Sequence, residues 1–466
     1  MNGRKSDGGQ ALVMTLLAMP FVCGILGLAI DVGYLEHIKR QMQTAADAAA
    51  LAGASEIPYL GSDTGVTVSS AALAVAQSNG YASSAVTVNN PPQFGPNTGS
   101  GTCDIGSASA PSCYVEVIVS QSQPTYFSAV FGLTSVTVRA RAVAAVKSGQ
   151  GCIYAMDPSG TGLRMNGNNS LTASCGVVIE SNSNRALVAN GSNTVTTQFV
   201  AVAGNYKGNS AQFNPPPVTG VAPTPDPLSY LTPPAVATAC TASGTITVTT
   251  SGTVSSTGCS NVKINANNLN VILSPGNWGN VSIGGSGDTV TLGAGQYGAV
   301  SVNGNGGSVT FSPGQFASIT GSGSAVETFS SGTYAIASGD FAPDGAAGSS
   351  GSGVTFYLGP DAGTLDFNGG SSSSFTAPTS GSYEGILLYQ DPGDTHGLTL
   401  NGNSTATFNG AVYCPTASIT LDGNNTVSLY NIIVAYDITL NGNDTIGDDY
   451  STLENGSPIK SSTLVE

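Results

Sequence analysis

Charge is scarce in this chain. Only 8% of its 466 residues are Asp, Glu, Lys or Arg, and 12 cations face 27 anions, for a net charge of −15. Between Lys263 and Lys460 there is no cation at all. Such a surface repels phosphate backbones and lacks the cationic contacts that dominate nucleic-acid affinity, so nucleic-acid binding is excluded. Histidine is limited to His37 and His396, and no cysteine pair has CxxC spacing, which argues against a zinc site. Nucleotide-binding and nucleophile-elbow motifs are also missing. What is abundant is Gly, 62 residues, in a chain that is still 40% hydrophobic. That apolar content rules out a disordered acidic tail, and the lack of a Gly-X-Y period rules out collagen. Length alone implies about two to four domains.

One long apolar run stands out. Residues 11–30, ALVMTLLAMPFVCGILGLAI, carry no charge. As a helix, 20 residues span roughly 30 Å, the hydrocarbon thickness of a bilayer. Arg4 and Lys5 lie closer to the run than Lys39 and Arg40, so the positive-inside rule places the N-terminus in the cytoplasm and the bulk outside it. A cleaved secretory signal is the competing reading. It is disfavoured by the length of the run and by the lack of an A-x-A-like site close behind it. Pro20 falls inside the span, where membrane helices tolerate it, and Cys23 is expected there as a buried thiol.

Beyond the run, Leu35, Ile38, Met42, Ala45, Ala49 and Ala52 recur three and four apart and form one narrow apolar stripe. Gly53 and Pro58 are expected to stop the helix. The stripe packs either on a partner or on the chain's own next domain, and spacing does not separate the two. The segment AIDVGYLEHIKRQMQTAADAAALAGA, with Asp31, Gly33, Arg40, Gln43, Ala46, Asp47, Ala48, Ala49, Ala50, Leu51, Ala52, Gly53 and Ala54, resembles the N-terminus of TadE/TadG-like Flp (tight-adherence) pilus-assembly proteins. The resemblance covers residues 8–55 strongly and reaches residue 147 more weakly. It implies a membrane-anchored component of a bacterial pilus or its assembly apparatus. Neither Gly8 nor Gly9 is followed by the Glu that pilin-like relatives place after their cleavage site, which speaks against prepilin-peptidase processing.

Residues 56–150 read as a small α+β domain. SSAALAVAQSNG is a short helix stopped by Gly80, and AVTV, YVEVIVS and SVTVRARAVAAV alternate as antiparallel strands. Apart from Cys23, the cysteines form three sequence-near pairs, Cys103/Cys113, Cys152/Cys175 and Cys240/Cys259, plus a lone Cys414. In an exported domain these are disulfide candidates; the connectivity is open, and local pairing is the expectation.

The rest of the chain repeats. Trp278, Tyr297, Phe316 and Tyr334 follow one another at 19, 19 and 18 residues, the first three in PGNW, AGQY and PGQF. Leu292, Phe311 and Phe329 keep the same spacing of 19 and 18. A second block, LTLNGNSTATF, ITLDGNNTVSL and ITLNGNDTI, has earlier echoes in LRMNGNNSLTA and LVANGSNTVTT. Units this short cannot bury an apolar face alone, so stacking is required. The fold class expected is therefore mainly β: a transmembrane anchor that continues as an extended helix (1–55), the α+β domain (56–150), and a right-handed parallel β-helix-like solenoid in two segments, 151–212 and 237–466. A Pro-rich strap (213–236) joins the segments and is expected to lie against the body. A β-sandwich is the alternative.

Parallel β-helices also serve as polysaccharide lyases and hydrolases. A lyase needs cations that the repeats lack. A hydrolase needs a carboxylate pair, for which Asp391, Asp394 and His396 in YQDPGDTHG are the local candidates. Asp-Pro-Gly-Asp is, however, a turn signature. GGSGD (284–288) falls one position short of a calcium-binding repeat, so no cofactor is expected beyond weak calcium binding at Asp or Asn corners. Asp448 and Asp449 read as a solvated turn. The function expected is non-enzymatic: a structural, inner-membrane, single-pass component of a Flp-type pilus or its apparatus, with pilus-assembly proteins as partners. A surface adhesin that binds carbohydrate through the solenoid is the alternative, and a polysaccharide hydrolase the remote one.

Overall fold

The computed structural model describes residues 8–57, 67–95, 98, 112–237, 242–256, 258–343, 348–368, 373–402, 407–426 and 430–465. They fall into two compact units. One comprises the chain before residue 148 together with the residues from 461 onward; the other runs from 148 to 460. Pro58, Cys103 and Cys240 lie outside the described residues.

In the first unit, helix α1 (Gly8–Ser55) is one continuous element of 48 residues. It ends at Ser55, between Gly53 and Pro58, which the sequence marks as the stop. Gly53 is a contact point: a Cβ there would lie 3.0 Å from Val115 and 3.3 Å from Ala72. Helix α2 (Val68–Ser78) begins with a reciprocal cap between Thr67 and Ser70 and ends before Gly80, whose φ of +90° suits glycine. Strands β1 (Val86–Asn89), β2 (Tyr114–Pro124) and β3 (Ser135–Ser148) pair antiparallel, with Tyr114 opposite Ala145 and Pro124 opposite Ser135. A fourth strand, Lys460–Leu464, lies beside β3. The sequence assigns these last residues to the solenoid; four consecutive polar side chains there, Lys460 to Thr463, give no alternating pattern to read.

The second unit is a stack of short parallel strands, about 12 turns of a β-solenoid. Gly276–Ile283 pairs with Gly295–Val302 and that strand with Gly314–Gly321, while Thr289–Leu292 pairs with Ser308–Phe311. The repeated glycines are dictated by this stacking. A Cβ on Gly295 would sit 1.9 Å from the carbonyl oxygen of Gly276, and one on Gly314 2.1 Å from that of Gly295. Trp278, Tyr297, Phe316 and Tyr334 are buried, and so are Phe311 and Phe329. Tyr297 stacks on Phe316 at 5.1 Å and Phe311 on Phe329 at 4.6 Å. Each polar tip finds a carbonyl four residues back, Trp278 at Ser274, Tyr297 at Gly293 and Tyr334 at Ser330, so the core holds no unpaired donor at these positions. One register departs from the spacing: Tyr334 pairs with Gly314, two places from Phe316.

The stack does not follow the chain order. The last turn of the C-terminal block, Asn431–Ala435, pairs with the first strand of the unit, Gly151–Ala155, with Ile433 opposite Ile153. Ile438–Leu440 likewise pairs with Leu163–Met165, and Asn443–Ile446 with Ser170–Ala173. From there the turns continue through Gly176–Ile179 and Val200–Val202 to Val218–Thr219. The sequence echoes at 163 and 187 are thus direct spatial continuations of those at 398, 419 and 438. Side-chain amides run across the join: Asn166 donates to Asn441, and Asn441 to Asp422.

This order obliges the chain to run back along the stack, and the Pro-rich strap does so. Thr224 binds Glu180, Asp226 accepts from Tyr413, the Leu231 carbonyl accepts from Tyr389, and Ala237 exchanges hydrogen bonds with Gln315. Between the turns that contain Gly176 and Gly314 lie seven pairing steps. At about 4.8 Å each they cover roughly 34 Å, and thirteen residues of polyproline-like backbone reach about 40 Å, so the strap is close to taut. Proline suits it, since a strap has no ladder to donate to. Leu228 and Leu231 are buried and Tyr230 is half-buried.

Two outcomes follow. Phe316→Ala should lower unfolding stability by about 3–5 kcal/mol in denaturant titration, while exposed Thr289→Ala stays within about 0.5 kcal/mol. Glu180→Ala removes the acceptor of both Thr224 bonds and should raise protease cleavage between residues 219 and 237 roughly tenfold.

Candidate membrane anchor and its docking loop

The first half of α1 is apolar and uncovered. Its most apolar stretch has a mean hydropathy of 2.3. Phe21 is 74% exposed and Ile25 68%, far beyond what water-facing helices carry. Helical backbone satisfies its own polar groups, so this segment is suited to hydrocarbon. Pro20 lies within it, and Cys23 projects from it exposed, not buried by the chain.

At the end of the run the helix meets the connection between β2 and β3. Asp31 is 2% exposed. Its carboxylate accepts three consecutive backbone N–H groups: Tyr126 at 2.9 Å, Phe127 at 3.0 Å and Ser128 at 2.7 Å. One turn earlier Gly27 is buried against Phe127, and a Cβ there would lie 2.7 Å from the ring. Tyr34 adds an edge-to-face contact with Tyr126 at 5.6 Å and a hydrogen bond to Gln123.

Farther along, Met42, Ala45, Ala46, Ala49 and Ala50 are fully buried, and the helix packs on α2 and β2. The apolar stripe is thus covered by the chain itself from Met42 on; Leu35, Ile38 and Ala52 are half-buried. Gln43 donates to Asp47 at 2.7 Å and to the Arg141 carbonyl at 2.8 Å, tying α1 to β3.

Sequence reasoning passed over Glu116, although a lone acid in YVEVIVS opposite the RAR of β3 was the signal. Glu116 is buried and accepts from Arg141, from Asn89 at 2.7 Å and from the Gln93 N–H at 3.0 Å. Burial alone would raise its pKa. The hydrogen bonds from Arg141, Gln93 and Asn89, with the Arg141 charge, outweigh that and hold it below the ordinary Glu value.

The candidate catalytic residues serve turns. Asp391 accepts from Tyr357 Oη at 2.5 Å and from the Gly393 N–H at 2.8 Å. Asp394 accepts the His396 N–H at 3.0 Å, and its Oδ1 lies 2.7 Å from His396 Nδ1. Asp288 of GGSGD caps the Leu269 N–H of the neighbouring turn. Asp448 binds Ser174, and Asp449 the Ser451 N–H. Among the described residues no group of three or more His, Cys, Asp or Glu is placed to hold a metal ion. Cys152 and Cys175 form a disulfide between adjacent turns; Cys113 and Cys259 each belong to a disulfide too, not with one another. Cys414 is a buried free thiol whose pKa is pushed up by burial and by Asp437, which makes it unreactive.

Residues 9–56 match the family model of putative Flp pilus-assembly TadE/G-like proteins, so α1 carries that domain almost from end to end. No curated protein and no solved structure matches the chain.

Asp31→Ala should abolish hydrogen-exchange protection of the Tyr126, Phe127 and Ser128 amides while leaving that of β2 intact, and Gly27→Val should do the same by displacing Phe127. Glu116 gives a pH signature. Because its pKa is lower folded than unfolded, its stabilisation is complete above the ordinary Glu range and fades as pH falls through and below it. Protection of β2 and β3 amides should therefore drop on acidification below about pH 5, and Glu116→Gln should flatten that drop while lowering protection at neutral pH.

Proposed function

We propose that the chain is a single-pass structural component of a Flp-type (tight-adherence) pilus or its assembly apparatus, held in the inner membrane by α1, with the solenoid outside the cytoplasm and no catalytic step of its own. The observation that carries this reading is the coincidence of the TadE/G-like match with a helix that is apolar and uncovered over its first half and packed into a folded unit over its second. The charges flanking the apolar run favour a cytoplasmic N-terminus. The Cys152–Cys175 disulfide supports an oxidising compartment for the solenoid. Pilus-assembly partners would meet the chain through the uncovered helix face around Phe21, Gly24 and Ile25, since Met42, Ala45 and Ala49 are occupied internally.

Deleting the gene should remove surface fibres or their retention on the cell. Replacing residues 12–30 with an unrelated apolar helix of equal length should keep the protein in the membrane but abolish co-purification with the other pilus-assembly proteins. Normal, attached fibres in the deletion strain would refute the reading.

A further inference from the structure

The connection between β2 and β3 has the wrong composition for a hairpin end in water. Tight connections are built from Gly, Asn, Asp and Ser. Residues 125–133 instead read Thr-Tyr-Phe-Ser-Ala-Val-Phe-Gly-Leu. Four of these side chains point outward: Val130 is 81% exposed, Phe131 79%, Tyr126 59% and Leu133 52%. The loop is nevertheless held firmly. Thr125 closes its base through its N–H to the Thr134 carbonyl and its hydroxyl to the Leu133 carbonyl. A short 3₁₀ turn, Ser128–Phe131, ends at Gly132 in the left-handed conformation at φ +86°.

Its height on the helix is fixed by Gly27 and Asp31, which belong to the last turn of the apolar run and the residue just after it. At this level the helix exposes Ile25, Leu26, Leu28 and Ile30. The apolar surface of the loop is therefore continuous with that of the anchor. Asp31 would be costly at such a depth, yet its carboxylate is satisfied by backbone donors and needs little water.

We propose that residues 126–133 are a second membrane contact, dipping into the lipid leaflet at the point where α1 leaves it. Tyr126 and Phe127 lie at the headgroup boundary, and Val130 and Phe131 among the upper acyl segments. The occupant is lipid, because the loop is pinned beside the apolar run and shares its uncovered surface. The proposal rests on the reading of residues 12–30 as the anchor.

The test uses the full chain in phosphatidylcholine vesicles, with an environment-sensitive nitrobenzoxadiazole dye on single thiols and nitroxide-labelled lipids as quenchers. Native Cys23 reports the anchor. Phe131→Cys and, separately, Val130→Cys, each with Cys23→Ser, report the loop, and Thr289→Cys with Cys23→Ser gives the water-exposed reference. The expected result is blue-shifted dye at 130 and 131, quenched several-fold more than at 289, with the shallow nitroxide most effective, and Cys23 quenched too. Quenching at 23 with positions 130 and 131 matching 289 overturns the proposal and leaves the anchor standing. Blue-shifted loop dye that lipid nitroxides do not quench overturns it in favour of a protein cover. No quenching at 23 overturns the anchor reading and the proposal together.

Discussion

Parallel pairing between successive turns is the constraint on which the large unit depends. A short strand has no partner within its own turn, so its backbone N–H and C=O groups must be met by the turn above or below. That requirement places glycine where backbones approach most closely, as at Gly295 over Gly276. It also aligns the aromatic side chains into columns, because a fixed register repeats the same inward position in each turn. Hydrophobic burial then stabilises what the ladder has ordered, and the tyrosine and tryptophan tips are accommodated by carbonyls four residues earlier.

The same constraint explains the strap. Once the turn at 431–446 lies against the turn at 151–173, the two blocks form one uninterrupted stack, and the covalent link between residues 219 and 245 must travel outside it. A segment without ladder partners, rich in proline and pinned by the side chains of Glu180, Tyr413, Tyr389 and Gln315, meets that need at little conformational cost.

The repeats, the stacked-strand class and the apolar helix could be read in the sequence because each rests on periodicity. The echoes at 163 and 187 were legible as repeats, but their position after 438 was not. A repeat pattern records what a turn looks like, not which turn it touches. Leu35, Met42 and Ala49 were legible as a stripe, yet a stripe does not name its partner; α2 and β2 had to be seen. Glu116 and the loop at 126–133 were missed for different reasons. The first is a single acid whose partner lies 25 residues away, and the second is a short apolar stretch with no period. Asp31 was singled out through the family resemblance alone, and its three backbone donors come from residues nearly a hundred positions distant.

The polypeptide enters the stack at residue 151 and departs after 446 on adjacent coils, in its interior instead of at its extremities. Both extremities, near 219 and 245, are consequently free of any covalent link to the first unit. Coils could be gained or lost there, with a matching change in the length of the proline-rich link, while the attachment point stays untouched. The number of coils and the place where the chain joins the stack are thereby independent features of this fold.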